Sequence, residues 1–417
     1  MTEWKTYRLG DICDLVAGFA FKSKDFGNYP NKVVKIADIQ PPVVNTNELA
    51  GVDLSNYDTV KLSKYLVSKG DYVLAMTGAT IGKLGRITDD VEAYINQRVL
   101  TFRPDESIVD KDYLYYQLCS DIFSKYILNH IDSETAQPNI SANSIGGFEI
   151  SLPSLEEQRR IAGILGAIDD KIENNRRINT NLELQAQALY KQWFVDFEFP
   201  NEEGEPYKSS GGKMVDSELG PIPEEWRVGK LEDIGDIIGG GTPSKAVAEY
   251  YTKNGIAWIT PKDLSVSHLK FTAKGETDIT ELGYKNSSAK IMPRGSVLFS
   301  SRAPIGYISI AKNDICTNQG FKSVVPNNGC TAFVYYFLLS NTENIESKAT
   351  GSTFKEASGA LMKSLELVIP SEDILENFEN IMSPIFELQE KFEAENETLA
   401  TLRDTLLPKL MNGEIKL

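Results

Sequence analysis

Histidine is almost missing from this chain: only His130 and His268 occur in 417 residues. That scarcity disfavours zinc centres and histidine-based nucleophile relays. The four cysteines, Cys13, Cys119, Cys316 and Cys330, are scattered with no CxxC pair, as suits reduced thiols in a cytoplasmic protein. No apolar run approaches a membrane span, and the opening MTEWKTYRLG lacks a signal-peptide pattern. A nucleotide loop of the form Gly-x4-Gly-Lys-Ser/Thr is absent; GATIGKLG at 78–85 is one residue short and lacks the hydroxyl. GGGTPS at 239–244 reads as a flexible turn, with no phosphate-binding strand–loop–helix after it. No Asn/Asp-Pro-Pro-aromatic stretch exists, since QPPV at 40–43 has the wrong first and last residues. DDK at 169–171 falls inside a heptad helix, where a solvated face explains it. Neither ATP hydrolysis nor base methylation is written here, no metal site is expected, and the chain reads as non-catalytic.

The formal charge of −16 looks hostile to polyanions, but its placement matters more than its size. Residues 155–208 carry a net −4 and residues 371–417 a net −7, so only −5 remains for the rest of the chain. The acid is concentrated in two segments. The remainder is close to balanced and can present local basic faces.

What is abundant is repetition. WKTYRLGDICDLVAG at 4–18 returns as WRVGKLEDIGDIIGG at 226–240. KIADI at 35–39 has a looser counterpart in WITPKDL at 258–264. YVLAMTGATIGKLGRI at 72–87 matches SVLFSSRAPIGYISIA at 296–311, with Val73-Leu74 over Val297-Leu298. INQRVLTFRP at 95–104 matches TNQGFKSVVP at 317–326, YLYYQLCS at 113–120 matches FVYYFLLS at 333–340, and FEISLPS at 148–154 matches LELVIPS at 365–371. Order is kept throughout, and the offset drifts only between 217 and 224. Each copy holds short runs of Val, Ile, Tyr and Phe broken by Gly, Asn, Asp and Pro. That pattern predicts strands and turns, with one helix near 111–128 and its partner near 331–347.

After each copy the grammar changes. Pro153-Ser154 and Pro370-Ser371 look like helix starts, with Ser as N-cap and acid in the first turn. A seven-residue period places Ile161, Ile168, Asn175, Leu182 and Leu189 on one seam, with Ile164 and Ile178 beside it. A second seam runs Phe378, Ile385, Phe392, Leu399 and Leu406, with Ile381, Leu388 and Leu402 beside it. Each helix would be about 55 Å long, too long to hide its seam in one small domain, so the two are expected to pair. An antiparallel pair would set the copies at opposite ends of a rod. Asn175 could set register there, or be a partly exposed weak spot. LYKQWFVDFEF at 189–199 could anchor a partner subunit or pack on the second helix. The polar, Gly- and Pro-rich segment 201–222 reads as a linker. The expected organisation is a first globular domain at 1–154, a helical spacer at 155–200, the linker, a second domain at 223–370, and a second spacer with the tail at 371–417. The fold class is α+β: two pseudo-two-fold-related, largely β domains separated by two long α-helices forming an antiparallel coiled coil.

This arrangement resembles the specificity subunit of type I restriction–modification systems. The marks are Trp-x4-Leu-x-Asp-Ile at 4–12 and 226–234, GIAWITPKDL at 255–264, AQPNISANSIGGFEISLPSLEEQRRIAGILGAIDDKIENN at 136–175, and LLPKLMNGEIKL at 406–417. The resemblance covers essentially the whole chain. It implies two target recognition domains that read a split, asymmetric sequence in double-stranded DNA. It also implies two methyltransferase subunits as partners, with restriction and motor subunits joining them. S-adenosylmethionine and ATP with Mg would be bound by those partners. A scaffold that holds two protein partners and never touches DNA is the rival reading.

Side chains that could meet DNA follow from chemistry, since amides and guanidinium read base edges while ammonium binds phosphate. In the first head these are Thr77, Gly78 and Thr80 with Lys83 and Arg86, then Asn96, Gln97 and Arg98, then Gln137 and Asn139. In the second they are Lys262, Ser300 to Arg302 with Ser301 between, Asn318, Gln319, Lys322, Ser352, Thr353 and Lys355. The matched Asn-Gln pairs can equally be framework, because both heads have them. Positions that differ between copies are better discriminators: Arg98 against Gly320, and Gly78 against Arg302.

Overall fold

The computed structural model describes residues 4–131, 138–302, 304–351, 355–415 and 417. The chain divides into two compact units, residues 1–172 with 398–417, and residues 173–397. The division falls inside both long helices, so each unit holds one head and a portion of each helix.

The first head is built on a sheet ordered Cys13–Ala17, Val99–Pro104, Tyr72–Ala75, Leu84–Arg86, then Val43–Val44 and Ile39–Gln40. The second runs Gly235–Gly239, Lys322–Pro326, Val297–Ser301, Ile305–Ala311, then Phe271–Thr272. The first four places correspond, all antiparallel, down to register. Ala17 faces Leu100 as Gly239 faces Lys322, and Asp14 faces Arg103 as Asp236 faces Val325. A two-stranded pairing of Lys5–Arg8 with Glu149–Leu152 is repeated by Arg227–Lys230 with Glu366–Ile369. The heads diverge outside this frame. The first adds a four-stranded sheet around Phe26–Val34, and among the described residues the second has only two-stranded pieces there. The apolar faces of Lys111–Leu118 and Thr331–Ser340 fill the cores, burying Tyr113 and Tyr116 in one head and Phe333 and Tyr336 in the other.

The first long helix, Leu155–Tyr190, has 36 residues and the second, Glu372–Met411, has 40, or about 54 and 60 Å at the α-helical rise. In the second unit their pairing is antiparallel. Asn175 meets Glu395 and Asn396, Asn179 meets Gln389, and Tyr190 meets Phe378. In the first unit Arg403 donates to Asp169 at 2.9 Å, and Tyr116 donates to the other oxygen of the same carboxylate at 2.8 Å. The predicted line of both seams is buried or half-buried along its length, with Ile161 and Phe378 fully enclosed and Ile168, Leu182, Leu189, Ile385, Phe392, Leu399 and Leu406 in between.

The companion line differs from expectation by one residue. Ile164, Ile381, Leu388 and Leu402 are exposed, while Leu165, Ile172, Ala186, Met382, Gln389 and Leu410 are buried. The true companion positions lie four residues after the seam rather than three. Several of them are polar, namely Asn179, Gln389, Asn396 and Arg403, so an apolar count points to the wrong flank. Asn175 is fully buried, and its amide donates to Glu395 at 2.9 Å and to Asn396 at 3.0 Å. This is the registering arrangement rather than the weak spot.

Two further expectations resolve within the second unit. The aromatics of 189–199 turn inward: Phe194 lies 4.7 Å from Phe333 and 4.8 Å from Phe378, and Trp193 lies 5.6 Å from Phe378. The 201–222 segment is not a loose tether. Tyr207 stacks on Phe199 at 4.6 Å, its hydroxyl donates to the Lys213 carbonyl, and Met214–Val215 pairs with Ile222–Pro223.

The second head is pinned to the helices by buried polar groups. Lys270, on the approach to the edge strand, donates to Glu183 at 2.6 Å, Tyr336 at 2.7 Å and Gln389 at 3.0 Å. Its ammonium also lies 4.0 Å from the Phe386 ring centroid. Burial pushes Lys270 down to about 8, against the pull of Glu183. Burial also raises Glu393 to about 7, although it accepts the backbone N–H of Lys270 and Phe271. Glu379 caps Thr331–Ser340 by accepting from Ala332 and Phe333, and burial raises it to about 7 as well. Both carboxyls have folded values above the ordinary 4.5, so folding takes up protons between roughly pH 4.5 and 7, and stability falls as pH rises through that window. The Lys270 effect acts above pH 8 and stays outside it. The expected result is a thermal midpoint at least ~3 °C lower at pH 7.5 than at pH 5.5, with the slope reduced in Glu379→Gln. Scanning calorimetry checks it, and an identical slope in that variant would contradict the assignment.

Candidate nucleic-acid interface

Each head brings three sequence-distant segments to one strand end. In the first, the Met76 N–H donates to the Arg98 carbonyl at 2.9 Å, and the Met76 carbonyl accepts from Ile140 at 3.0 Å. In the second, Ser301 donates to the Gly320 carbonyl at 2.7 Å and accepts from Ala357 at 2.9 Å. The returning segment is fixed in both cases by a serine N-cap. Ser141 accepts from Ser144, and Ser358 accepts from Leu361. The Asn-Gln turn is held against a glycine. A Cβ on Gly18 would lie 2.3 Å from the Asn96 carbonyl oxygen, and one on Gly240 would lie 1.9 Å from that of Asn318. Only hydrogen fits at these two positions.

These bonds correct the pairing of the copies. Along 70–77 the true offset is 225, so Met76 answers Ser301 and Thr77, not Gly78, answers Arg302. Gly70 and Gly295 confirm it, with φ of 86° and 87° at the same turn. The slip arises because the two strands share Val-Leu in neighbouring registers, which sequence similarity cannot distinguish. By the same bonds Arg98 answers Gly320, as expected, and Asn139 answers Glu356.

The candidate residues fall into three groups. Gln97, Arg98, Lys83, Gln319, Lys262 and Lys355 are exposed, with Lys262 ion-paired to Glu276 at 2.8 Å. A second group is framework. The Asn96 backbone bonds Val34 and Val99, and Asn318 Oδ1 accepts from Gly320 at 2.8 Å. Ser301 is fully buried with its hydroxyl on the Gly320 carbonyl, and Ser300 is fully buried with its hydroxyl on the Pro304 carbonyl, so neither has a group left for DNA. Thr77 is buried, Gly78 takes φ of 72°, and the Thr80 hydroxyl donates to the Thr77 carbonyl. Arg86 is drawn inward by Asp112 and lies 5.2 Å over the Tyr115 ring, which removes it from the reading surface. The third group is an ion cluster. Arg302 and Lys322 share the Glu356 carboxylate at 3.1 and 3.2 Å. Asn139 forms a bridge with Thr77. Gln137, Ser352 and Thr353 lie outside the described residues.

In the second head Lys262, Arg302, Asn318, Gln319 and Glu356 line a cleft of about 1090 Å³ together with Thr242 and Tyr251. Amide and guanidinium donors, the Lys262 ammonium and the half-buried Tyr251 give it the means to engage base edges and phosphates. Glu356 was not among the expected residues. The signal was present, because PNIS at 138–141 and KEAS at 355–358 both run into a serine cap.

The family model for the type I restriction modification DNA specificity domain matches residues 1–184 and 223–403. The chain belongs to that family. Each match spans one head and continues into the long helix behind it, so the family unit is the repeat itself. The HindI specificity subunit of Haemophilus influenzae is 28% identical across the full length of both chains. The MjaIX specificity subunit of Methanocaldococcus jannaschii is 39% identical over 190 residues, 45% of this chain and 44% of that one. The crystal structure of a type I restriction–modification S subunit from M. genitalium has the same fold, with a TM-score of 0.60 over 98% of this chain and 96% of that one, at 16% identity. Among the described residues no cluster of His, Cys, Asp and Glu could hold a metal, and no helix is long and apolar enough to cross a membrane.

The close approaches at Gly18 and Gly240 predict that Gly240→Ala lowers stability by at least ~2 kcal/mol, because the clash is with backbone. Gly163→Ala, with open space around it in the first long helix, should stabilise by about 0.5–1 kcal/mol. Urea unfolding of the two variants beside the parent measures both, and equal midpoints would refute the contrast.

Proposed function

We propose that this chain is the non-catalytic, DNA-reading subunit of a type I restriction–modification complex, with one half of a bipartite, asymmetric target in double-stranded DNA taken by each head. The single observation that carries the reading is the reuse of one backbone frame with different side chains at its tip: Met76 and Ser301 hold the same bonds, while Arg98 stands against Gly320 and Asn139 against Glu356. Two heads that differ in this way suit two unlike half-sites. The paired helices act as the spacer that sets the gap, as half-site spacing is fixed by geometry in other two-headed DNA readers. Their acid suits a segment that stands off from phosphate or is covered by partner subunits. Two methyltransferase subunits dock on this chain and restriction and motor subunits join them. S-adenosylmethionine and ATP with Mg are bound by those partners, and the complex works in the cytoplasm.

Methylome sequencing of a host with and without the gene tests this directly. A split, non-palindromic methylated motif that depends on the gene is expected, and its absence from an active complex would refute the reading. Exchanging residues 1–150 for another head should alter one half of that motif and leave the other intact. Inserting one matched heptad in each long helix should widen the gap without changing either half. An unaltered gap in the same assay would remove the spacer role.

A further inference from the structure

The hydrogen-bond equivalence defines three positions per head: the residue after the clamped strand end, the residue after the Asn-Gln turn, and the residue before the N-cap pair. They are Thr77, Arg98 and Asn139 in the first head, and Arg302, Gly320 and Glu356 in the second. The guanidinium occurs once in each set but on different walls. Where the turn carries Arg98, the strand end carries threonine. Where the strand end carries Arg302, the turn carries glycine. The exchange has a steric basis. A Cβ on Gly320 would lie 3.0 Å from Asn318 Oδ1 and 3.1 Å from the Pro261 ring, so a long side chain on that turn would crowd the cleft that Arg302 occupies.

We propose that these three positions form one base-reading site per head, with Arg302 reading a guanine in the second half-site and Glu356 positioning it. A guanidinium fork presents two parallel donors, and guanine alone offers two acceptors, O6 and N7, on its major-groove edge. Glu356 takes Arg302 through one oxygen and Lys322 through the other, so one guanidinium nitrogen is anchored and the remaining donors are kept for a ligand. Lys322 balances the carboxylate, so the cluster retains a net positive charge toward a phosphate-bearing partner. In the first head the corresponding carboxylate is an amide, Asn139, which pairs with Thr77 through backbone. Arg98 there is exposed on the turn, so the guanidinium of that head lies on the other wall. Main-chain bonds build the frame, and the residue types at the three positions give it different letters.

The inference rests on the reading that each head takes one half-site, and the experiment separates the two. The full chain, assembled with its partner methyltransferase subunits, selects from a randomised duplex library at fixed salt, and the enriched motif is sequenced. No bipartite motif from the parent complex would overturn the one-head-one-half reading, and the triad with it. A bipartite motif with Arg302→Gln should lose guanine preference at one position of the second half by at least ~5-fold, with the first half unchanged. A motif identical to the parent's, or one altered in the first half, would overturn the triad while leaving the broader reading intact. If Arg302→Gln selects nothing, Glu356→Gln decides: relaxation confined to that same position supports the positioning role, and an unaltered motif overturns it. Arg98→Gln supplies the reciprocal arm, with the change confined to the first half.

Discussion

One residue in each head, Met76 and Ser301, gives both of its main-chain bonds to segments distant in sequence, and the candidate surface depends on that clamp. Each bond is of ordinary strength, about 1 kcal/mol net. Their value is geometric. They tie a strand end, a tight turn and a capped return loop into one place, so side chains from three parts of the chain share a small surface. Because main chain carries the geometry, the frame survives the replacement of methionine by serine, arginine by glycine and asparagine by glutamate. That tolerance is what a duplicated reader needs, since the two copies must keep a shape and lose an identity.

The coupling of head to helix follows a different rule. In the second unit it is made by buried charge and aromatic rings: Lys270 among Glu183, Gln389 and Tyr336, with Phe386 beneath it. Burial opposes ionisation of Glu183, yet the ammonium and hydrogen bonds hold it below its ordinary range. Such a group is costly to leave half-paired, so removal of one partner is felt far more than exchange of the whole cluster. The aromatics at the end of the first long helix finish the joint, which is why that sequence is spent inside the chain.

Much of this was legible in the sequence because duplication writes the same evidence twice. The repeat, the largely β heads and the seven-residue seam from Ile161 to Leu189 and Phe378 to Leu406 all follow from pattern. The companion line was not legible, because Gln389, Asn396 and Arg403 occupy it while Ile381, Leu388 and Leu402 face outward. Hydrophobic periodicity reads burial through side-chain type, and here polar groups are buried as pairs. At the candidate surface, exposure of Arg98 and Gln319 agreed with chemistry, whereas Arg86, Ser300 and Ser301 were bound up by neighbours that only tertiary structure supplies. The pairing of Thr77 with Arg302 needed hydrogen bonds, since two apolar residues in a row align equally well one step apart.

The asparagines of the first long helix also bear on synthesis. The first long helix leaves the ribosome about 180 residues before its partner begins, a wait of roughly 10–40 s at ordinary elongation rates. A fully apolar stripe left open that long would invite capture by neighbouring nascent chains. Asn175 and Asn179 keep this stripe wettable while it is alone, and become specific only when Gln389, Glu395 and Asn396 arrive to match them.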